Sequence, residues 1–276
     1  MLTKDKAVCI RTVDYSETSQ VVTFFTRNAG KVPVIAKGTK RQRNPFGGPI
    51  ELFSYGNIVF SDSTREKLAT LVEFEPLEGI AVSSVISQDL YVLNCCLFAA
   101  ELINSLTKEY DPHPGLFDML IAFLRQVGNQ KEPGQSRPLA RLILFQLGLL
   151  KEIGLSPIFD YCVNCNCPFS INWPEIYFSV NAKGLICRDC QGAFPDKIKI
   201  TQQTAKCLVD AGDPQRARPR PLGGCCGRLV PSALLQPWHD WLFVTQRPTH
   251  LHHPRCSQNQ RGRGLAARRA TTRWPR

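Results

Sequence analysis

Residues 7–41 read AVCIRTVDYSETSQVVTFFTRNAGKVPVIAKGTKR. Three β-rich runs, 7–13, 21–27 and 31–37, lie in this stretch, and Asn28-Ala29-Gly30 between the last two is a tight hairpin signal. Strand residues alternate in direction, so of the adjacent pair Phe24 and Phe25 one ring must enter a core. Two further β-rich runs follow at 52–60 and 67–75, after a turn-rich stretch, Asn44-Pro45-Phe46-Gly47-Gly48. Five short strands in so short a segment predict a small closed or nearly closed barrel over residues 1–80. The OB-fold leads; an SH3-like barrel or a half-sandwich would give a similar pattern.

Downstream, the pattern changes to helical spacing over residues 81–157. Ser87 is the expected N-cap of a helix reaching about Lys108, with a stripe of Leu90, Leu93, Leu97, Ala100 and Ile103. The run Asp111-Pro112-His113-Pro114 stops it and starts a second helix over 116–127, with Phe117, Leu120, Ile121 and Leu124 on one face. A third helix, 139–153, is apolar nearly all round and is expected at the centre of the bundle, with Gly154 as its C-cap.

The strongest motif is a double cysteine pair. Cys162 and Cys165 are separated by two residues, as are Cys187 and Cys190, and 21 residues lie between the pairs. Four thiolates at this spacing can converge tetrahedrally on one Zn²⁺. All four ligands would be protein sulfurs, leaving no position for water or substrate, so the expected role is structural. A redox pair would normally stand alone after a strand. The module is expected over 158–195, with Cys167 as a spare thiol nearby. Cys9, Cys95 and Cys96 fit small buried thiols.

The chain has 276 residues and a formal net charge of +11, which suggests a polyanionic partner. The excess is uneven. Residues 1–207 hold 22 basic and 20 acidic side chains, whereas residues 208–276 hold 12 arginines, 3 acids and no lysine. That last segment, expected to be an irregular tail, reads either as a basic arm for nucleic acid or as out-of-frame translation, and its abrupt composition favours the second. Reading the coding DNA around codon 208 in all three frames separates the two. Residues 196–207 are expected to begin a helical return toward the bundle.

Several function classes lose support. The sequence has no G-x-x-x-x-G-K, H-E-x-x-H or G-x-S-x-G motif. His113, the one histidine before the tail, sits between prolines and reads as a loop residue. No enzymatic activity is expected. Arg141 and Gln146 interrupt the richest apolar stretch, and the N-terminus lacks an apolar signal core, so no membrane span and a cytoplasmic address are expected.

Within the first 80 residues the charge concentrates at Lys37, Lys40, Arg41 and Arg43, in the stretch joining the third and fourth strands. Such a loop can reach over the barrel face that tracks a phosphate backbone. Arg11 lies in a strand, and Phe24, Phe25, Phe46 and Phe53 are candidate rings nearby. The bland alternative is a solvated basic loop.

The order of these pieces, together with particular stretches, resembles the bacterial recombination mediator family RecO. The opening stretch with Asp14, Tyr15, Glu17 and Thr26, then RNPFGGPIELFS, LINSLTKEYDPHPGLFDML, LGLLKEIGLSPIFDYCVNC and Ala182 to Cys187, carries the likeness over about residues 1–206. The resemblance implies an α+β multidomain chain with an N-terminal OB-fold, a helical bundle and a four-cysteine zinc module. It also implies a role in DNA repair by recombination through binding of single- and double-stranded DNA. The implied actions are annealing of complementary strands and, with RecR, assistance to RecA loading on strands coated by single-strand-binding protein, whose C-terminal tail the family contacts. It makes Arg11, Lys37, Lys40, Arg41 and Arg43 the expected DNA contacts and Cys162, Cys165, Cys187 and Cys190 the expected Zn²⁺ ligands. The place of action would be the nucleoid. A zinc-stabilised protein-interaction module without DNA binding is the alternative.

Overall fold

A computed structural model describes residues 1–41, 43–61, 68–77, 89–128 and 138–212. Five strands, β1 (Leu2–Asp14), β2 (Gln20–Thr26), β3 (Gly30–Ala36), β4 (Tyr55–Ser61) and β5 (Ala69–Pro76), close a barrel in the order β1-β2-β3-β5-β4. β3 and β5 pair in parallel, and the other pairings are antiparallel. This is the OB arrangement. Closure depends on the length of β1. Its first half pairs with β4 and its second half with β2, and a register shift between Cys9 and Arg11 lets one strand serve both sides of the barrel.

The barrel interior is filled by Ala7, Cys9, Val22, Phe24, Val32, Val34, Ile58, Phe60, Leu71 and Phe74. Phe24 lies in this core, and Phe25 is equally buried on the opposite face of β2. The expectation that one of the two rings is core is therefore met twice, because both faces of β2 are covered. Phe25 joins a second core with α1 (Leu90–Leu106) and α2 (Pro114–Gly128), where its ring lies 6.1 Å from that of Phe117.

The N-cap of α1 is Asp89, whose carboxylate accepts from the amides of Tyr91 and Val92. Ser87, the expected cap, lies outside the described residues. The expected stripe of α1 also needs correction. Leu90 and Leu97 are exposed, and the buried face is Val92, Cys95, Cys96, Ala99, Ala100, Leu102 and Ile103. α1 packs against β1, α2 and α3, so the buried arc turns toward the small residues that permit close approach.

The third helix, α3 (Pro138–Glu152), is central as its composition predicts. Leu142, Phe145, Leu149 and Leu150 belong to the bundle core, while Leu147 belongs to a third core on the other side. It ends at Gly154, with φ of 75°, where the amide of Leu155 reaches the Leu150 carbonyl and that of Gly154 the Lys151 carbonyl. That is a Schellman cap.

The third core holds a three-stranded sheet, β6 (Ile176–Ser179), β7 (Gly184–Cys187) and β8 (Ile198–Ile200), with β6 in the middle. A 3₁₀ turn, Arg188–Ala193, follows β7, and α4 (Gln202–Gly212) closes the core through Ala205, Leu208 and Val209. The break expected at residue 208 therefore falls inside a helix, since Leu208 and Val209 continue the apolar face begun at Ala205. The irregular tail expected from there on lies outside the described residues from 213.

Candidate functional site

Two places concentrate chemistry: the four cysteines, and the loop between β3 and β4.

The cysteine site is built by backbone pairing of two distant segments. Residues 158–163 run beside β7: the Ile158 amide donates to the Lys183 carbonyl at 2.8 Å, the Leu185 amide to Ile158 at 3.0 Å, and the Val163 amide to Leu185 at 2.9 Å. This lays the first cysteine pair next to Cys187 at the end of β7, and the 3₁₀ turn brings Cys190 back. The first pair sits in a tight knuckle. The Cys162 amide donates to the Cys167 carbonyl and the Asn166 amide to Cys162, both at 2.9 Å, with Asn166 at a φ of 57°.

The sulfurs of Cys162, Cys165, Cys187 and Cys190 lie within 4.8 Å of one another. Tetrahedral zinc with Zn–S near 2.3 Å requires sulfur–sulfur edges of about 3.8 Å. Cys165 and Cys187 are 3.7 Å apart. The set thus fits one four-thiolate metal ion. Protein donors support the sulfurs from outside: the Cys187 amide approaches Cys162 Sγ at 3.4 Å and Asn164 Nδ2 approaches Cys190 Sγ at 3.2 Å. Burial would raise the Cys162 thiol, but the amides of Cys165, Cys187 and Asn164 outweigh it and bring it down to about 7. Burial pushes Cys187 up to about 12.

Cys167 is exposed and stands outside the set, its sulfur directed at the Pro168 carbonyl. Cys9, Cys95 and Cys96 are buried thiols that burial pushes up to about 12, 11 and 12, which makes them packing residues rather than nucleophiles. His113 pairs with Asp111 in the loop joining α1 and α2.

The second place is residues 37–50. Lys37, Lys40, Arg41 and Arg43 are all exposed, as is Arg11 on β1. The loop is held from below. Asn44 Oδ1 accepts from the amides of Phe46 and Gly48, its amide group donates to the Arg41 carbonyl, and Phe46 and Ile50 enter the barrel core. Gln20 grips Ile50 from both sides, accepting from its amide at 2.9 Å and donating to its carbonyl at 3.4 Å. The loop leans on the β1–β2 turn, where the Gly38 amide meets Ser19 Oγ and the Lys40 amide meets the Thr18 carbonyl. Lys40 Nζ is 2.6 Å from Asp14 Oδ2.

Two features differ from expectation. The candidate rings Phe24, Phe25, Phe46 and Phe53 are all buried, so none is available to a ligand. Asp14, unremarked in the sequence except as part of a turn, is the counter-charge of Lys40; only the long-range pairing of the loop with that turn reveals it.

Residues 1–80 match the family model for the recombination protein O N terminal region, and residues 87–215 match that for the C terminal region. Among curated relatives, the DNA repair protein RecO of Anaeromyxobacter sp. (strain K) is 31% identical over 230 residues, covering 82% of this chain and 86% of its own. The DNA repair protein RecO of Bacillus subtilis (strain 168) is 31% identical over 208 residues, covering 75% and 76%. That of Bacillus pumilus (strain SAFR-032) is 30% identical over 210 residues, with the same coverage. The C-terminal match runs past residue 208, in keeping with the continuation of α4 through Gly212.

Proposed function

The chain belongs to the RecO family of DNA repair proteins, and from that premise we propose that it is a DNA-binding recombination mediator. It anneals complementary strands and, with RecR, assists RecA loading onto single strands coated by single-strand-binding protein, whose C-terminal tail it contacts. It works in the cytoplasm at the nucleoid and has no catalysis of its own: annealing requires neutralisation of two phosphate backbones rather than a reactive group. The observation that supports this reading most is the anchored basic loop, four exposed cations held over a closed OB barrel by Asn44, Gln20 and Phe46. Arg11, Lys37, Lys40, Arg41 and Arg43 are the DNA contacts. Cys162, Cys165, Cys187 and Cys190 hold one structural Zn²⁺. The working units are 1–80, 81–157 and 158–195, with a return that begins at 196.

The test is fluorescence anisotropy with single- and double-stranded oligonucleotides across a salt series. Replacing Lys37, Lys40, Arg41 and Arg43 by Ala lowers affinity for both and flattens the salt dependence by up to about 2.8 in log–log slope for single strands and about 3.6 for duplex, on the order of 0.7 and 0.9 for each phosphate no longer neutralised. Unchanged affinity and slope would remove the loop assignment.

A second reading has one observation in its favour. Leu90, Tyr91 and Leu97 on α1 and Leu144 on α3 are exposed apolar side chains, as a zinc-stabilised protein-interaction module would present. Peptide binding with no DNA affinity at low salt would favour it.

A further inference from the structure

Five cysteines gather at one end of the third core, and the metal set uses four of them. The fifth, Cys167, is placed by the same knuckle. Its carbonyl accepts from the Cys162 amide at 2.9 Å, and the next residue, Pro168, bridges to Tyr161. Asn166, with a φ of 57°, turns the chain between Cys165 and Cys167. Residues two apart stand within about 7 Å from Cα to Cα, the outer limit of disulfide geometry, and a turn between them shortens that span.

The metal set is unevenly covered. Cys162 is buried and accepts from the Cys187 amide, Cys187 and Cys190 are half-buried, and Cys165 is exposed. Cys165, Cys187, Cys190 and the spare Cys167 line one cavity of about 360 Å³, together with Trp173 and Arg188. Glu175 is engaged by Lys199 at 2.5 Å and by the Tyr177 hydroxyl, and meets Arg188 only at 3.9 Å. The Arg188 guanidinium is thus a lightly held cation at the cavity wall, with Asp189 as the acid beside it. A purely structural metal site needs no such opening, since its coordination is complete without it. Here the opening brings small molecules to an exposed ligand sulfur that has an uncoordinated thiol two residues away. That is the arrangement of a reversible thiol switch.

We propose that Cys165 and Cys167 form a reversible disulfide on reaction with a hydroperoxide, and that the metal is given up when they do. The inference rests on the four-thiolate zinc reading above and adds how that site is opened. The Cys165 thiolate attacks the nearer peroxide oxygen. An S–O bond forms, the O–O bond breaks, and the leaving oxygen takes a proton from solvent beside Arg188. The product is a sulfenic acid at Cys165. The Cys167 sulfur then attacks the Cys165 sulfur; an S–S bond forms, and the hydroxyl leaves as water with the Cys167 proton. The two sulfurs lose two electrons and the peroxide gains them. Cys167 resolves the sulfenic acid because the other sulfurs are held as ligands. Three thiolates remain, too few to close a tetrahedron, so the third core loosens where residues 158–163 meet β7.

The test treats the full chain, purified under reducing conditions, with hydrogen peroxide. It follows zinc release to a chromophoric chelator, the disulfide by peptide mass mapping, and recovery after a dithiol reductant with added Zn²⁺. The unaltered chain releases its zinc, carries a Cys165–Cys167 disulfide, and recovers in full. Cys167→Ser, a near-isosteric change at an exposed position, holds zinc before treatment. Without a resolving thiol its Cys165 goes on to the sulfinic acid, and zinc binding does not return. A disulfide from Cys165 to Cys187 or Cys190, a Cys167 bridge between two chains, or full recovery of Cys167→Ser overturns the switch. Zinc retained at a peroxide dose that oxidises free cysteine overturns it too. Loss of zinc from untreated Cys167→Ser does the same, since Cys167 would then be a ligand. In each of these cases zinc in the unaltered chain leaves the four-thiolate reading standing. If elemental analysis finds no zinc in the unaltered chain, both fail.

Discussion

Phe25 on β2 and Phe117 on α2 lie with ring centroids 6.1 Å apart, tilted by 42°, and both are buried. Tyr55 approaches the same Phe117 ring at 6.4 Å. These rings seat the barrel on the helices. Around them, Lys31 caps the last turn of α1, Arg27 makes a two-pronged contact with Asp118, and Gly30 comes so close to Asp111 that an added Cβ would stand 2.3 Å from its carbonyl oxygen. The barrel is thus held in one orientation, in which Val13 and Tyr15 stay exposed.

Loss of the Phe25 ring should be felt at the junction. Phe25→Ala is expected to cost on the order of 3–5 kcal/mol in denaturant unfolding. A double-mutant cycle with Phe117→Leu should give a coupling of about 0.5–1.5 kcal/mol. Additive effects would show that the two rings do not act together.

Asp14 restrains Lys40. Asp14→Asn removes a charge that repels phosphate and frees the Lys40 ammonium, so DNA affinity should rise at low salt, and the gain should fade as salt screens the exposed site. Anisotropy titrations at two salt concentrations measure it. A loss of affinity would mean that the ion pair serves to position the loop.

Removal of metal should act on one part of the molecule. Chelation is expected to lower the melting temperature and to release amide protection in β6, β7 and α4, whose core is separate from that of the barrel. Cys165→Ser should mimic it. An unchanged melting temperature after verified metal loss would count against a structural role.

Gly184 is where the two cysteine-bearing segments meet. A Cβ there would stand 2.4 Å from Val163 Cγ1 and 2.7 Å from the Ile158 carbonyl. Gly184→Ala should therefore push Cys162 away from Cys187 and weaken metal retention in a chelator competition. Retention equal to the unaltered chain would show that the segments can part without loss of the site.

Asp196 supplies a pH dependence. Its carboxylate accepts from the Ser179 hydroxyl and the Asn181 amide, holding the turn that leads into β7. Burial opposes ionisation, but those donors prevail and hold the carboxyl below its ordinary value. A folded value below the unfolded one stabilises above the ordinary carboxylate range, and the contribution is lost as pH falls through the folded value. Asp196→Ala should thus be destabilising at pH 7 by roughly 1–3 kcal/mol, with the difference shrinking on acidification. A difference constant with pH would rule out the ionised carboxylate as its source.

Much of this was legible along the chain. Alternation marked five strands, and the hairpin at Asn28 to Gly30, the cap at Gly154 and the cysteine pairs were readable from spacing, because each depends on residues a few positions apart. The failures share a cause. Leu90 and Leu97 fit a helical stripe as well as Val92 and Ala99 do, and only the arrival of β1, α2 and α3 decides which arc is covered. Nothing local distinguishes Phe46 as an anchor from Phe46 as a ligand-facing ring.

Strand, helix and ligand spacing, and hence the barrel, the bundle and the four-thiolate set, were therefore written in consecutive residues. Tertiary structure alone decided that both Phe24 and Phe25 are buried, that Lys40 answers Asp14, and that Val13, Val21 and Ile35 stand side by side in one row across three strands. A side chain's period is a property of its own segment. Its exposure is set by which distant segments close over it.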